Sequence, residues 1–216
     1  MKLLDLFCGA GGAGMGYHRA GFDVTGVDVA PQKRYPFRFV QADALEYLAD
    51  HWREYDVIHA SPPCQAYSVT KSLHANQYEE LVGETRTALI QTGKPYVIEN
   101  VPGAPLLNPL LLCGSMFGLA LIRHRIFEST PVIWFPPAPC KCRSLRTNSS
   151  RSNSTFASGA TAITVAGFIF RKPDAEIAMG IDWMHNRKEL AQAIPPAYTH
   201  FIGQRIQQHI RSEQPF

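Results

Sequence analysis

A chain of 216 residues and 24.0 kDa, 45% hydrophobic, is long enough for one domain with a full core and a small appendage. Five cysteines without a repeating spacing argue against a disulfide-stapled secreted scaffold and for reduced thiols in a cytoplasmic protein. A net charge of +3 permits nucleic-acid binding without demanding it, and it excludes a strongly acidic, self-solvating chain.

Lys2–Phe7 reads as a first buried strand; Asp5 interrupts its apolar run, which is too short for a signal peptide. The turn from Cys8 to Gly16 is rich in glycine, and a helix begins near Met15. Strand, glycine turn and helix form a nucleotide-type cradle in which backbone approaches a ligand closely. Gly9, Gly11 and Gly14 match G-x-G-x-x-G, a weak pattern by itself, and no lysine follows as a phosphate-binding loop requires.

Asp23–Asp28 is a second strand ending on an acid, placed where ribose hydroxyls would be bound. Phe37–Val40 is a third, followed by Asp43 at the head of a helix from Leu45 to Trp52. Two acids at successive strand ends suit S-adenosylmethionine (SAM), although NAD would share the first. Tyr55–Ala60 is the fourth strand. It leads into Ser61-Pro62-Pro63-Cys64-Gln65, where two prolines hold a thiol in a rigid turn at the ligand-binding edge of a sheet.

A helix is predicted near Tyr78 to Thr92, and Lys94–Val101 is a fifth strand carrying Glu99 and Asn100. Leu106 to Leu121 is ambiguous between helix and strand. Arg123–Glu128 reads as a strand whose alternation puts Arg123 and Arg125 on one side.

From Pro136 to Gly167 the composition shifts to a long loop, with Lys141, Arg143, Arg146 and Arg151 in a Ser/Asn-rich run. Cys140 and Cys142 could join Cys113 around a metal. The spacing lacks a C-x-x-C pair or matching histidines, so no metal is assigned. Thr161–Phe170 is predicted as a strand, Asp174 as the cap of a short helix to Met179, and Glu189–Gln192 as another helix. After Pro195 and Pro196, the spacing of Tyr198, Phe201, Ile202, Ile206 and Ile210 predicts an amphipathic helix. No run approaches the roughly 18 apolar residues of a membrane span.

Five stretches in this order resemble the cytosine-C5 DNA methyltransferases: Asp5–Gly12, Pro62–Gln65, Glu99–Val101, Arg123–Glu128 and Ala193–Pro196. The resemblance is to a small, phage-type or solitary bacterial form, active in the bacterial or phage-infected cytoplasm. It implies an α/β, Rossmann-like SAM-dependent sheet, mostly parallel with one antiparallel strand. It divides the chain into a catalytic domain (1–128), a small target-recognition insert (129–174) and a C-terminal return (175–216).

By the same resemblance, Cys64 is the nucleophile, Glu99 engages the cytosine ring, and Arg123 and Arg125 orient it. Phe7, Gly9, Gly11, Asp28, Asp43, Pro63, Asn100, Gln192 and Ile194 fall on cofactor-binding positions. The implied partner is double-stranded DNA with a flipped cytosine; RNA or a cytidine nucleotide is the alternative substrate. Ala66, Tyr67 and Gln192 depart from the family pattern, and the insert is short. A silent SAM-fold nucleic-acid-binding module is the rival outside enzymes.

Overall fold

The computed structural model describes residues 1–63, 75–147, 156, 159–167 and 169–213, with backbone alone for 75–80. Cys64 therefore lies outside the described residues, as do Gln65, Ala66, Tyr67 and Arg151.

Seven strands form one sheet in the order β3-β2-β1-β4-β5-β7-β6. They are β1 (Lys2–Leu6), β2 (Asp23–Asp28), β3 (Arg38–Gln41), β4 (Val57–Ala60), β5 (Tyr96–Asn100), β6 (Leu110–Leu112) and β7 (Arg125–Thr130). The first five pair in parallel, and β7 alone runs against its neighbours. The strands are apolar on both sides because both faces of the sheet are covered. Leu3, Val57, Val97 and Phe127 face α1 (Gly12–Arg19) and α6 (Pro196–Ser212). Leu4, Ile58 and Ile98 face α2 (Ala44–His51) and α3 (Ala75–Thr92).

The glycine stretch has two structural tasks. Gly9 and Gly11 turn the chain at φ of 49° and 85°, which side chains disfavour. Gly12 and Gly16 lie one helical turn apart and let α6 approach. A Cβ at Gly12 would strike the Ile194 backbone, and one at Gly16 would overlap Thr199 Oγ1 and the Pro196 carbonyl. Thr199 then reaches the Ala13 carbonyl at 2.8 Å.

Three expectations need correction. The strand predicted over Arg123–Glu128 begins only at Arg125 and runs to Thr130. The strand predicted over Thr161–Phe170 is reduced to isolated bridges, Leu121 to Ile163 and Thr147 to Ala162; Gly167, at a φ of 56°, interrupts the extended run. Asp174 does not cap α4 (Lys172–Met179), whose N-cap is Arg171; it lies buried in the first turn and pairs with Arg171 at 3.3 Å.

Part of the insert is packed rather than loop. Phe156, Ile163, Val165 and Phe170 form a third apolar cluster with α4 and α5 (Arg187–Gln192). No helix among the described residues is long and apolar enough to cross a membrane.

Candidate active site

The parallel strands bring their C-terminal ends to one edge, and Phe7, Asp28, Asp43 and Glu99 collect there because each lies at or shortly after the end of a parallel strand. At the β1 end, Phe7 itself adopts a left-handed φ of 55°, so the turn begins before its first glycine. Asp28, at the β2 end, accepts Gly9 N–H through Oδ2 and Ala30 N–H through Oδ1, both at 2.9 Å. Each carboxylate oxygen thus has a fixed direction and spare lone pairs. Beside it, a Cβ on Gly9 would meet nothing within 4 Å, so the turn faces open space. Asp43 is the N-cap of α2, its Oδ1 accepting from Leu45 N–H at 2.9 Å and Glu46 N–H at 3.1 Å. Only Asp43 Oδ2 is left to face a ligand.

The second half of the site lies where β4 and β5 end. Glu99 is buried, and Arg125 Nε sits 3.0 Å from its Oε1. That contact is an ion pair without the alignment of a hydrogen bond. Burial pushes the Glu99 carboxyl above its ordinary range, opposed by the charges of Arg125 and Arg123 and by a hydrogen bond from Ser61. An acid held this way keeps a proton more readily than a surface glutamate does.

Behind Glu99 runs a buried polar chain. His59 Nε2 is 2.9 Å from Ser61 Oγ, and His59 Nδ1 is 3.0 Å from Tyr17 Oη. Burial lowers His59 to about 3 and raises the Tyr17 hydroxyl well above its usual value, so both are neutral. The partners assign the tautomer. Ser61 donates to the Glu99 carboxylate, His59 Nε2–H donates to Ser61, and Tyr17 donates to the bare Nδ1. His59, Ser61 and Tyr17 escaped the sequence reading. A histidine in an apolar strand, two residues before a serine, was the available signal.

Asn100, expected at the cofactor, bonds to two backbone groups of the protein. Its Nδ2 donates to the Pro62 carbonyl at 3.1 Å, and its Oδ1 accepts from Val101 N–H at 2.9 Å. It ties β5 to the two-proline segment that precedes Cys64. Pro63 is half-buried in the same segment.

Arg123 and Arg125 do not share a task. Arg123 is buried and donates to the carbonyls of Val165 and Ala191, binding the sheet to the small apolar lobe. Arg125 pairs with Glu99. Gln192 is exposed at the end of α5, whereas Ile194 is buried with its backbone against Gly12. Trp183, which no pattern flagged, reaches from the lobe to the Ala10 carbonyl at 2.9 Å and braces the glycine turn. Cys8 is buried, and burial raises its thiol far above the range of a reactive cysteine.

Strand order, a glycine turn after β1, acids after β2 and β3, and one reversed strand define a Rossmann-like methyltransferase fold. Residues 1–105 match the C-5 cytosine-specific DNA methylase family. The chain is 35% identical over 80 residues to the Type II methyltransferase M.FnuDI of Fusobacterium nucleatum, covering 34% of this chain and 23% of that protein. It is 30% identical over 118 residues to M.XorII of Xanthomonas oryzae pv. oryzae, covering 46% and 28%. The chain thus spans about a quarter of the length of these curated relatives.

Whole-fold likeness is wider. A protein described as a DNA modification methyltransferase encoded within an E. coli prophage superposes with a TM-score of 0.69 at 14% identity, over 98% of this chain and 99% of that one. The S. pombe Dnmt2 methyltransferase superposes with a TM-score of 0.64 at 12% identity, over 97% and 99%.

Proposed function

We propose that this protein methylates C5 of cytosine in DNA through a transient bond to Cys64. The observation that carries the reading is Glu99, buried at the β5 end, paired with Arg125 and adjoining the segment that Asn100 fastens through Pro62. Those residues supply an acid that burial pushes toward its protonated form and a fixed cation beside the turn leading to the thiol. SAM, when bound, supplies an electrophilic methyl group.

Phe7, Gly9 and Asp28 fit that cofactor: open space above the turn, a carboxylate with directed lone pairs for ribose hydroxyls, and Asp43 Oδ2 for an amine. The chain's own residues carry the rest. The Cys64 thiolate adds to C6 of the ring, which makes C5 nucleophilic. Glu99 hydrogen-bonds or protonates N3 as charge develops there, and Arg125 holds Glu99 in place. After C5 has taken up the methyl group, loss of the C5 proton expels Cys64 and restores aromaticity.

Double-stranded DNA is the favoured substrate, with the cytosine turned out of the stack because neither face of a stacked base is accessible. Lys141, Arg143 and Arg146 are exposed on the segment after β7, suited to a phosphate backbone. The expectation for Arg151 falls outside the described residues. In this reading 129–174 forms the target-recognition insert between the catalytic domain of 1–128 and the return of 175–216.

Tritiated SAM offered with duplex DNA, tRNA and dCMP in parallel tests the proposal. Label entering DNA as 5-methylcytosine supports it; label confined to tRNA or dCMP overturns the substrate assignment.

A further inference from the structure

Outside the site described above, the fold assembles a cluster that the sequence spacing conceals. Cys113 directly follows β6, and His124 directly precedes β7. Cys140 and Cys142 lie in the segment after β7, where Cys142 opens a short 3-10 helix. The three sulfurs and one histidine nitrogen lie within 4.8 Å of one another. We infer that Cys113, His124, Cys140 and Cys142 form a structural zinc site.

Geometry favours zinc over a chance meeting of thiols. His124 Nε2 is 3.6 Å from both Cys140 Sγ and Cys142 Sγ. A tetrahedron with Zn–S of about 2.3 Å and Zn–N of about 2.0–2.1 Å has a sulfur–nitrogen edge of about 3.6 Å. Both of these edges already have that length, and the remaining ligand pairs lie within 4.8 Å. Three soft sulfurs and an imidazole, without a carboxylate, select zinc over calcium or magnesium. With four protein ligands the site is closed, as structural zinc sites are.

An outer shell is present too. Ser115 Oγ lies 3.6 Å from Cys113 Sγ and 3.5 Å from Cys140 Sγ, and accepts from Lys141 N–H at 3.1 Å. Three thiolates on zinc leave a net charge of −1, and Lys141 and Arg143 flank it.

The site explains how the segment after β7 is held. Cys113 is fully buried and belongs to the main core, whereas Cys140 is exposed and has little apolar area to anchor it. Zinc would clamp the exposed segment to the sheet at the edge where β6 ends and β7 begins. His124 also precedes Arg125, whose Nη1 donates to the His124 carbonyl at 2.8 Å. The clamp therefore fixes the backbone that presents Arg125 to Glu99. Chain spacing does not display the set, because its histidine is the residue just before β7 rather than a neighbour of the cysteines in sequence.

The test uses the full chain purified without chelators. Elemental analysis should find about one zinc per chain, as expected for one closed four-ligand site. Cobalt(II) added to chelator-stripped protein should give tetrahedral d–d bands and thiolate charge-transfer bands. The Cys140→Ser/Cys142→Ser double variant should lose both the zinc and the charge-transfer bands. Zinc persisting in that variant would overturn the site, as would wild-type protein with neither metal nor cobalt bands. Wild-type measurements alone decide the matter if the variant does not fold.

Discussion

The Asn100 side chain and the Pro62 carbonyl, 3.1 Å apart and buried, join the end of β5 to the segment after β4. The strand carrying Glu99 is thereby tied to the two-proline segment that precedes Cys64. Removing the carboxamide leaves the Pro62 carbonyl buried without its partner, at about 1–3 kcal/mol. Asn100→Ala should show that loss in denaturant unfolding. It should also lower kcat by up to about 100-fold through misplacement of the reacting groups, while SAM affinity holds. A fall in SAM affinity with kcat intact would return Asn100 to the cofactor.

Asp28 is bound by two backbone N–H groups and oriented toward the open turn. Asp28→Ala should weaken SAM binding by about 1–3 kcal/mol, both from the lost hydroxyl contact and from the freed Gly9 N–H. Titration calorimetry on the free protein measures it, and equal affinities would remove Asp28 from the cofactor site.

Ser61 lowers the pKa of Glu99 by donating to its carboxylate, against the burial that raises it. Ser61→Ala removes the lowering contribution, so Glu99 should keep its proton to higher pH. The ionisation limb of kcat/KM that belongs to Glu99 should shift upward. A pH profile superimposable on the wild type would detach the His59–Ser61 chain from the acid.

Asp5 gives a signature in stability. Burial raises its carboxyl from 3.8 to about 8, with Asp28's charge adding to the effect and hydrogen bonds from Tyr35 and Gly14 opposing it. A group with a raised folded-state value stabilises most below its unfolded value. The contribution is therefore full below pH 3.8 and is lost as pH rises to about 8. His59, lowered from 6.5 to about 3, acts oppositely, losing its contribution as pH falls through that window. Asp5→Asn keeps an acceptor for Tyr35, 2.8 Å away, without a titrating proton. Thermal unfolding should show the variant gaining on wild type between pH 5 and 8; parallel curves would contradict the assignment.

The sequence displayed what depends on local order. Asp23–Asp28 became a strand with the predicted bounds because its apolar run has one reading in a two-sided sheet. Each strand-end residue then fell on one edge of the sheet, since parallel pairing puts every C-terminal end there. Roles set by contacts across the fold were hidden. Arg123 and Arg125 look equivalent in sequence, yet the strand starts between them and sends Arg123 to Val165 and Ala191. Gly12 and Gly16 lie in the glycine-rich turn yet admit the Ile194 backbone and α6, and only those partners reveal it.

The central claim is a covalent step at Cys64, and trapping tests it directly. In DNA whose cytosines carry fluorine at C5, no proton can leave after methyl addition, so the enzyme–base bond cannot be released. A duplex pool of that composition, incubated with the protein and SAM, should yield a denaturant-stable protein–DNA band. The band should require SAM and be absent for Cys64→Ser. Methyl transfer to ordinary DNA by Cys64→Ser at the wild-type rate, with no trapped band from either protein, would contradict the account.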